Sequence, residues 1–279
     1  MLERLVSVLS PEEIEPDVFL GENMHPSDFR IYGGQVLAQA VAAAARTVSD
    51  DRSLHSQHAY FLRPGDTEKP VRLAVERARD GGSFSSRRVV ATQDDKPILV
   101  SSLSFNAAMQ GGTHLDAAPE VPPPESLPSE RQLAIAAGNL DDSFMVTTGE
   151  YLDVRVVEPV DWFNPRVREP HLEAWVRTTG RLNDDVVLHR AMLAYLSDMM
   201  LLDACLLPQG LDFMNPDLQC ASLDHALWFH GDFRADEWLL HTVESEAVAG
   251  GLGLSRGRFY TQDGRLVAST MQQGLMRLR

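Results

Sequence analysis

The amino-acid sequence predicts an α+β protein in which two similar halves each wrap an antiparallel sheet around one apolar helix. Three observations lead to this fold class: an internal repeat, a proline-rich segment between the copies, and a helix-then-strands order within each copy. The chain has 279 residues, 44% of them hydrophobic, which is enough to form two ordinary cores.

The repeat consists of short motifs that recur at a nearly constant spacing. Gly81–Gly82 and Ser86–Arg87 return 169 positions later as Gly250–Gly251 and Ser255–Arg256. Fixed spacing between copied motifs is typical of a duplicated supersecondary unit. The chain is therefore expected to contain two homologous halves.

The boundary between the halves is predicted within residues 108–148. This segment contains Gly111–Gly112 and the run Pro122–Pro124. Proline cannot donate a hydrogen bond to a central strand, so such a segment favours a linker. The expected domains are residues 1–107 and 149–279.

Each half places one long apolar segment before several strand-like runs. In the first half, the proline-free and alanine-rich segment Gln35–Val48 predicts a largely buried helix. The strands that follow are predicted at Ser56–Leu62, Val71–Arg77, Ser85–Thr92 and Pro97–Asn106. In the second half, the helix is predicted at Val186–Leu207. Its strands are predicted at Tyr151–Val157, Ala221–His230, Trp238–Ala247, Ser255–Thr261 and Arg265–Arg277. This order is the hot-dog arrangement, and a tandem double hot-dog can join its two sheets to cover a strand edge.

Composition excludes several classes of function. The formal net charge of −15 argues against nucleic-acid binding, which needs a basic surface. Two cysteines without CxxC spacing argue against a disulfide framework and a zinc site, and fit a cytoplasmic location. The first ten residues do not resemble a signal peptide, and no run of about 20 apolar residues is evident, so stable membrane insertion is not expected.

Asp198 is the most unusual residue of the second predicted helix, because its neighbours Leu196 and Met199 are apolar. A buried carboxylate needs hydrogen-bond donors, a cleft, or a raised pKa. The pattern alone leaves two interpretations open: a functional carboxylate, or a non-functional one that lies on a partly exposed polar helix face or is bonded to backbone amides.

Two further polar positions lie in predicted strands of the second half. One of Gln272 and Gln273 must face inward because side chains alternate along a strand. Ser222 begins a strand that also holds Asp224 and His225. Those two residues and the nearby His230 superficially resemble a metal or triad set, but a histidine in a strand is more often a structural residue. No metal is expected.

The segment Gly253–Gly257 matches the G-x-S-x-G pattern of serine hydrolases. That motif requires a strand-to-helix turn and a histidine later in the chain. Ser255 instead opens a predicted strand, and no histidine follows His241. A serine hydrolase is therefore disfavoured.

Several segments together resemble the acyl-CoA thioesterase II family of double hot-dog enzymes. They are Arg30–Ala40, His58–Asp66, Leu193–Asp198, Ser222–His230 and Phe259–Gly264. The resemblance implies a catalytic group of an Asp on the second helix, a Thr or Ser on the next strand, and a Gln on the last strand. These positions correspond to Asp198, Ser222 and Gln272, with Gln272 preferred over Gln273.

The implied activity is cofactor-free hydrolysis of acyl-CoA, with Asp198 accepting a proton from water that Ser222 and Gln272 orient. A backbone amide near Gly33–Gly34 is expected to stabilise the oxyanion. The resemblance also implies a homodimer or larger homo-oligomer. Two alternatives stay open: a hot-dog hydratase, although no histidine of the required motif lies near Asp198 in sequence, and an inactive acyl-CoA-binding module.

Overall fold

The computed structural model describes residues 1–24, 30–137, 148–161, 164–213 and 215–279. The helices are α1 (Leu2–Val8), α2 (Gly33–Ala45), α3 (Glu130–Ala136), α4 (Val186–Leu196) and α5 (Leu201–Leu206). The first six strands are β1 (Glu12–Glu15), β2 (Val18–Gly21), β3 (Ser53–Phe61), β4 (Val71–Asp80), β5 (Phe84–Gln93) and β6 (Lys96–Asn106). The next seven are β7 (Leu152–Val156), β8 (His171–Thr178), β9 (Leu218–Ser222), β10 (Asp224–Phe229), β11 (Leu239–Ala249), β12 (Leu252–Thr261) and β13 (Leu266–Leu278).

All of these strands belong to one antiparallel sheet. Its order is β1-β2-β4-β5-β6-β3-β10-β13-β12-β11-β8-β7, and β9 pairs with β13. The two halves meet where β3 pairs with β10, with Ala59 opposite His225. This joined sheet around apolar helices is the tandem double hot-dog, so the predicted fold class is confirmed.

The central helices α2 and α4 touch at the middle of the molecule. The hydroxyl of Tyr32 donates to the carbonyl oxygen of Tyr195 at 3.1 Å. A Cβ atom placed on Gly34 would lie only 2.4 Å from that same oxygen. Buried residues from both halves form one core, including Leu37 of α2 and Leu193 of α4. Glycine and alanine in α2 therefore allow the close helix contact on which the core depends.

Two predicted elements are interrupted in the structure. The helix expected over Val186–Leu207 breaks between Leu196 and Leu201, where Met200 adopts the left-handed conformation with φ of 64°. The strand expected over Ala221–His230 breaks at Leu223. Both predictions of a continuous element were wrong, and both breaks lie next to a candidate site residue.

The predicted linker contains regular structure. A 3₁₀ helix spans Pro124–Ser126, and α3 begins with a capping box in which Ser129 and Gln132 exchange hydrogen bonds. The Trp175 indole donates to the Pro122 carbonyl at 2.9 Å, which fixes the segment against the second half. Residues 138–147 of this linker lie outside the described residues. The domain boundaries themselves stay predictions.

One helical segment, Val186–Gln209, is long and apolar enough to cross a membrane by length and composition. The segment is not a continuous apolar run, because it includes Arg190, Asp198 and Asp203, and the absence of stable membrane insertion stays a prediction. In the structure, 78% of its most apolar stretch is buried inside the protein. This burial is what the core helix of a double hot-dog requires.

Candidate active site

Asp198 lies in the break between α4 and α5 and faces the start of α2. Its Oδ2 atom accepts a hydrogen bond from the backbone N–H of Gly34 at 2.9 Å. A Cβ atom on Gly33 would lie 2.8 Å from the same oxygen. The second half thus supplies the carboxylate, and the N-terminal end of a helix from the first half supplies its donor. Helix N-termini favour negative charge, so this contact stabilises the ionised form.

Burial raises the pKa of Asp198 to about 7. The Gln272 amide, the Gly34 N–H and the charge of Arg30 all lower this pKa, but they do not cancel the cost of desolvation. The negative charge of Asp203 raises it further. Oδ1 of Asp198 is buried, and no donor in the described chain reaches it in hydrogen-bond geometry. A carboxylate with this pKa, whose Oδ1 meets no donor from the described residues, is suited to take a proton near neutral pH.

Gln272 and Ser222 are in direct contact. The Nε2 group of Gln272 donates to Ser222 Oγ at 3.0 Å, and Gln272 is 1% exposed. Gln273 belongs to the opposite face of β13, and its backbone N–H donates to Asp224 Oδ1 at 2.8 Å. Gln272 is therefore the inward-facing residue of the pair. The structure brings Asp198, Gln272 and Ser222 into one neighbourhood.

An irregularity in strand pairing explains how Ser222 reaches the interior. Ser222 is opposite Gly274, and Ala226 is opposite Met271. Between these two pairs the β9–β10 segment advances four residues, from Ser222 to Ala226. Strand β13 advances only three, from Gly274 to Met271. This extra residue at the β9–β10 break lets both Ser222 and His225 contact Gln272, although an uninterrupted strand would direct them to opposite faces.

His225 is a site residue that sequence reasoning had set aside as structural. Its Nδ1 lies 2.6 Å from Gln272 Oε1, and its Nε2 lies 2.9 Å from the hydroxyl of Ser197. Burial lowers its pKa to about 4, so the imidazole is neutral at physiological pH. Strand alternation alone gave no signal for it, because its contact with Gln272 depends on the strand break.

Other candidates from the sequence fall outside this arrangement. His230 Nε2 contacts Ser269 Oγ at 2.8 Å on the exposed side of the sheet. Ser255 is a buried residue of β12 whose Oγ lies 3.1 Å from Cys205 Sγ, so the G-x-S-x-G match does not form a nucleophile elbow. The Gly34 N–H is bonded to Asp198 Oδ2, and an oxyanion role for a backbone amide near Gly33–Gly34 stays a prediction.

Asp203 was also missed by sequence reasoning. Burial raises its pKa to about 6, and its negative charge raises the pKa of both Asp198 and Tyr32. It lies in the first turn of α5, a helix that exists only because the long predicted helix is broken.

Comparisons with known proteins cover nearly the whole chain. A family model described as acyl-CoA thioesterase matches residues 145–275, and one described as acyl-CoA thioesterase N-terminal domain matches residues 20–106. The chain is 36% identical to acyl-coenzyme A thioesterase 8 of Homo sapiens over 99% of this chain and 89% of that protein. It is 34% identical to acyl-CoA thioesterase 2 of Haemophilus influenzae over 99% of this chain and 98% of that protein.

A solved structure gives the same result. The structure of the acyl-CoA thioesterase II TesB2 from Mycobacterium marinum superimposes with a TM-score of 0.81 at 38% identity, covering 99% of this chain and 98% of that chain. Both halves, the junction between them and the site are included in these matches. The similarity is full-length and exceeds 30% identity, so the chain belongs to the acyl-CoA thioesterase II family.

Proposed function

We propose that this protein hydrolyses acyl-CoA thioesters to a free carboxylic acid and CoA, using a water molecule that Asp198 activates. The observation that carries the proposal is the Asp198 carboxylate, whose pKa is raised to about 7 beside the contacting pair Gln272 and Ser222. A general base works best when its pKa lies near the working pH, because it is then both ionised and basic.

In this mechanism, water donates one proton to Asp198 Oδ1 while its oxygen attacks the thioester carbonyl carbon. Ser222 and Gln272 hold the water so that a lone pair is directed at that carbon. The tetrahedral intermediate then collapses, the C–S bond breaks, and the CoA thiolate takes the proton from Asp198. Every proton is accounted for, and the step requires no covalent acyl-enzyme and no cofactor.

Gly34 has a defined part in this proposal. Its N–H holds Oδ2 of Asp198 at 2.9 Å, which leaves Oδ1 to face the water. The bond also limits how far burial raises the pKa of Asp198. The first half of the chain thus contributes to the base, although the three proposed catalytic side chains belong to the second half.

The hydratase alternative finds less support in the site. A hydratase needs a histidine that exchanges protons with its substrate, but His225 is buried and both of its ring nitrogens contact protein groups. An acyl-CoA-binding module without activity would not need a carboxylate held at a pKa near 7. Thioester hydrolysis therefore explains more of the observed geometry.

We expect the purified protein to release free thiol from acyl-CoA, and a panel from acetyl-CoA to palmitoyl-CoA, followed with a thiol reagent, tests this. Turnover should be undiminished after treatment with a chelator. Binding without thiol release across the panel would instead indicate an acyl-CoA-binding module. Conversion of an enoyl-CoA without thiol release would indicate a hydratase.

The pH dependence of kcat/KM should report the Asp198 carboxylate. Because the ionised form is the base, kcat/KM should rise about tenfold per pH unit below pH 7 and level off above it. Initial rates from pH 5 to 8.5, corrected for spontaneous thioester hydrolysis, measure this limb. A flat profile over that range would contradict the assignment. Self-association and a cytoplasmic location stay predictions from the sequence.

A further inference from the structure

We propose that His225 is a positioning residue whose Nδ1–H group fixes the orientation of the Gln272 amide, an inference that rests on the proposed thioester hydrolysis. In this arrangement His225 touches neither water nor substrate. It acts by determining which end of the Gln272 amide faces Ser222 and Asp198.

The need for such a residue follows from the chemistry of an amide side chain. Its oxygen and nitrogen ends have nearly the same shape, so only the surrounding hydrogen bonds determine which end points where. Gln272 Oε1 lies 2.6 Å from His225 Nδ1, and Gln272 Nε2 lies 3.0 Å from Ser222 Oγ. Since Oε1 can only accept, this orientation requires a proton on Nδ1 of His225.

The hydroxyl groups behind the ring are compatible with that tautomer. Ser197 Oγ lies 2.9 Å from Nε2 of His225 and 2.9 Å from the carbonyl oxygen of Ala194, and in this tautomer its single proton is donated to Nε2 rather than to Ala194. Thr270 Oγ1 lies farther away, at 3.2 Å, and donates instead to the carbonyl oxygen of Ala226 at 2.9 Å. Ser197, His225, Thr270 and Gln272 are all buried, so bulk water does not compete with these contacts.

The opposite tautomer of His225, with the proton on Nε2, would disfavour the proposed reaction. With the proton on Nε2, Nδ1 would have to accept from Gln272, and the amide would turn its oxygen toward Ser222 and Asp198. An amide oxygen beside an ionised carboxylate is repelled, and the donor that lowers the pKa of Asp198 would be lost. Protonation of both nitrogens is disfavoured because burial lowers the pKa of His225 to about 4. The neutral Nδ1–H form is thus the one that supports an ionised Asp198.

The direct test is the protonation of the ring in the wild-type protein. Nitrogen-15 NMR of protein labelled at histidine should show His225 as the Nδ1–H tautomer near pH 7. The His225 signal is identified as the one that is missing from the spectrum of the His225→Asn variant. An Nε2–H tautomer would overturn the proposal whatever the substrate of the enzyme proves to be, and a failed hydrolysis assay with an Nδ1–H tautomer would count against the proposed function alone.

The kinetic test replaces His225 with Leu, which removes the donor but keeps an apolar volume. We expect kcat to fall about 10- to 100-fold with little change in KM, because a misdirected amide no longer orients the water. The acid limb of kcat/KM should also move to higher pH, since Asp198 loses a nearby donor. His225→Asn, which can place an N–H near the former Nδ1, should restore most of the activity and the position of the limb.

Two controls separate positioning from a general structural role. In a Gln272→Ala background, His225→Leu should cause almost no further loss of kcat, because it acts only through Gln272. His189→Leu removes another buried histidine, which accepts from the Ala235 N–H at 3.0 Å, and should lower stability without moving the acid limb. Additive losses in the double variant, or an unmoved limb in His225→Leu, would overturn the proposal. If His225→Leu does not fold, the tautomer measurement decides.

Discussion

Replacement of Asp198 by Asn should lower kcat/KM for acyl-CoA hydrolysis by about 10²- to 10⁴-fold, the loss typical of removing a general base. Asn has the same shape, and its amide oxygen can still accept the Gly34 N–H that Oδ2 accepts at 2.9 Å. It cannot take a proton from water. The rise of kcat/KM with pH below about 7 should be absent from the residual activity of this variant.

The same substitution should stabilise the protein, and the gain should depend on pH. The pKa of Asp198 is about 7 in the folded state against an ordinary value of 3.8, so the folded state binds this proton more tightly than the unfolded state. Wild-type stability from this group is therefore fully present below pH 3.8 and is lost as pH rises through 7. At about 1.36 kcal/mol per pKa unit, Asp198→Asn should gain up to about 4 kcal/mol in the free energy of unfolding at pH 8.

Thermal melts at pH 5 and pH 8, together with steady-state kinetics, check both parts of this prediction. Asp50→Asn removes an exposed carboxylate on a turn and serves as the matched control, with wild-type activity and little change in stability. Wild-type turnover in folded Asp198→Asn would return this residue to a structural role. Asp224 or His225 would then become the candidate general base.

Much of the fold could be predicted because duplication and periodicity are properties of the chain itself. The Gly81–Gly82 and Gly250–Gly251 copies indicated two halves, and the alternating runs indicated most strands of each. Strand β8 was missed, and its alternation of Leu172, Ala174 and Val176 is masked by Trp175, which is buried as well. The pairing of β3 with β10 is a contact between distant segments, and no local pattern specifies its register.

The site was harder to predict because its residues lie where regular structure is interrupted. No proline or glycine marks the end of α4, yet Met200 adopts a left-handed conformation and turns the chain beside Asp198. The break before Asp224 likewise has no turn signal, yet it lets His225 reach Gln272. Such departures from local preference are expected at functional sites, where tertiary contacts override propensity.

Gly34→Ala should both destabilise the protein and reduce its activity, although alanine is intrinsically the better helix former by about 1 kcal/mol. The added Cβ would lie 2.4 Å from the Tyr195 carbonyl oxygen and 2.5 Å from a ring carbon of Tyr32. A backbone oxygen of α4 cannot swing aside as a flexible side chain can, so α2 must move away from α4. Overpacking of this kind costs about 1–3 kcal/mol or more in the free energy of unfolding.

The movement should also carry the Gly34 N–H away from Asp198 Oδ2, and a displacement of about 1 Å at a reacting group can cost 10²-fold in kcat. Chemical denaturation and initial-rate kinetics measure the two effects separately. Gly82→Ala is the matched control, because a Cβ there meets nothing within 4 Å, and it should behave as wild type. A Gly34→Ala protein with a higher melting temperature and unchanged turnover would show that neither the close contact of the two helices nor the hydrogen bond to Asp198 has the importance assigned to it. Loss of stability with full activity would retain the packing argument and remove Gly34 from the proposed mechanism.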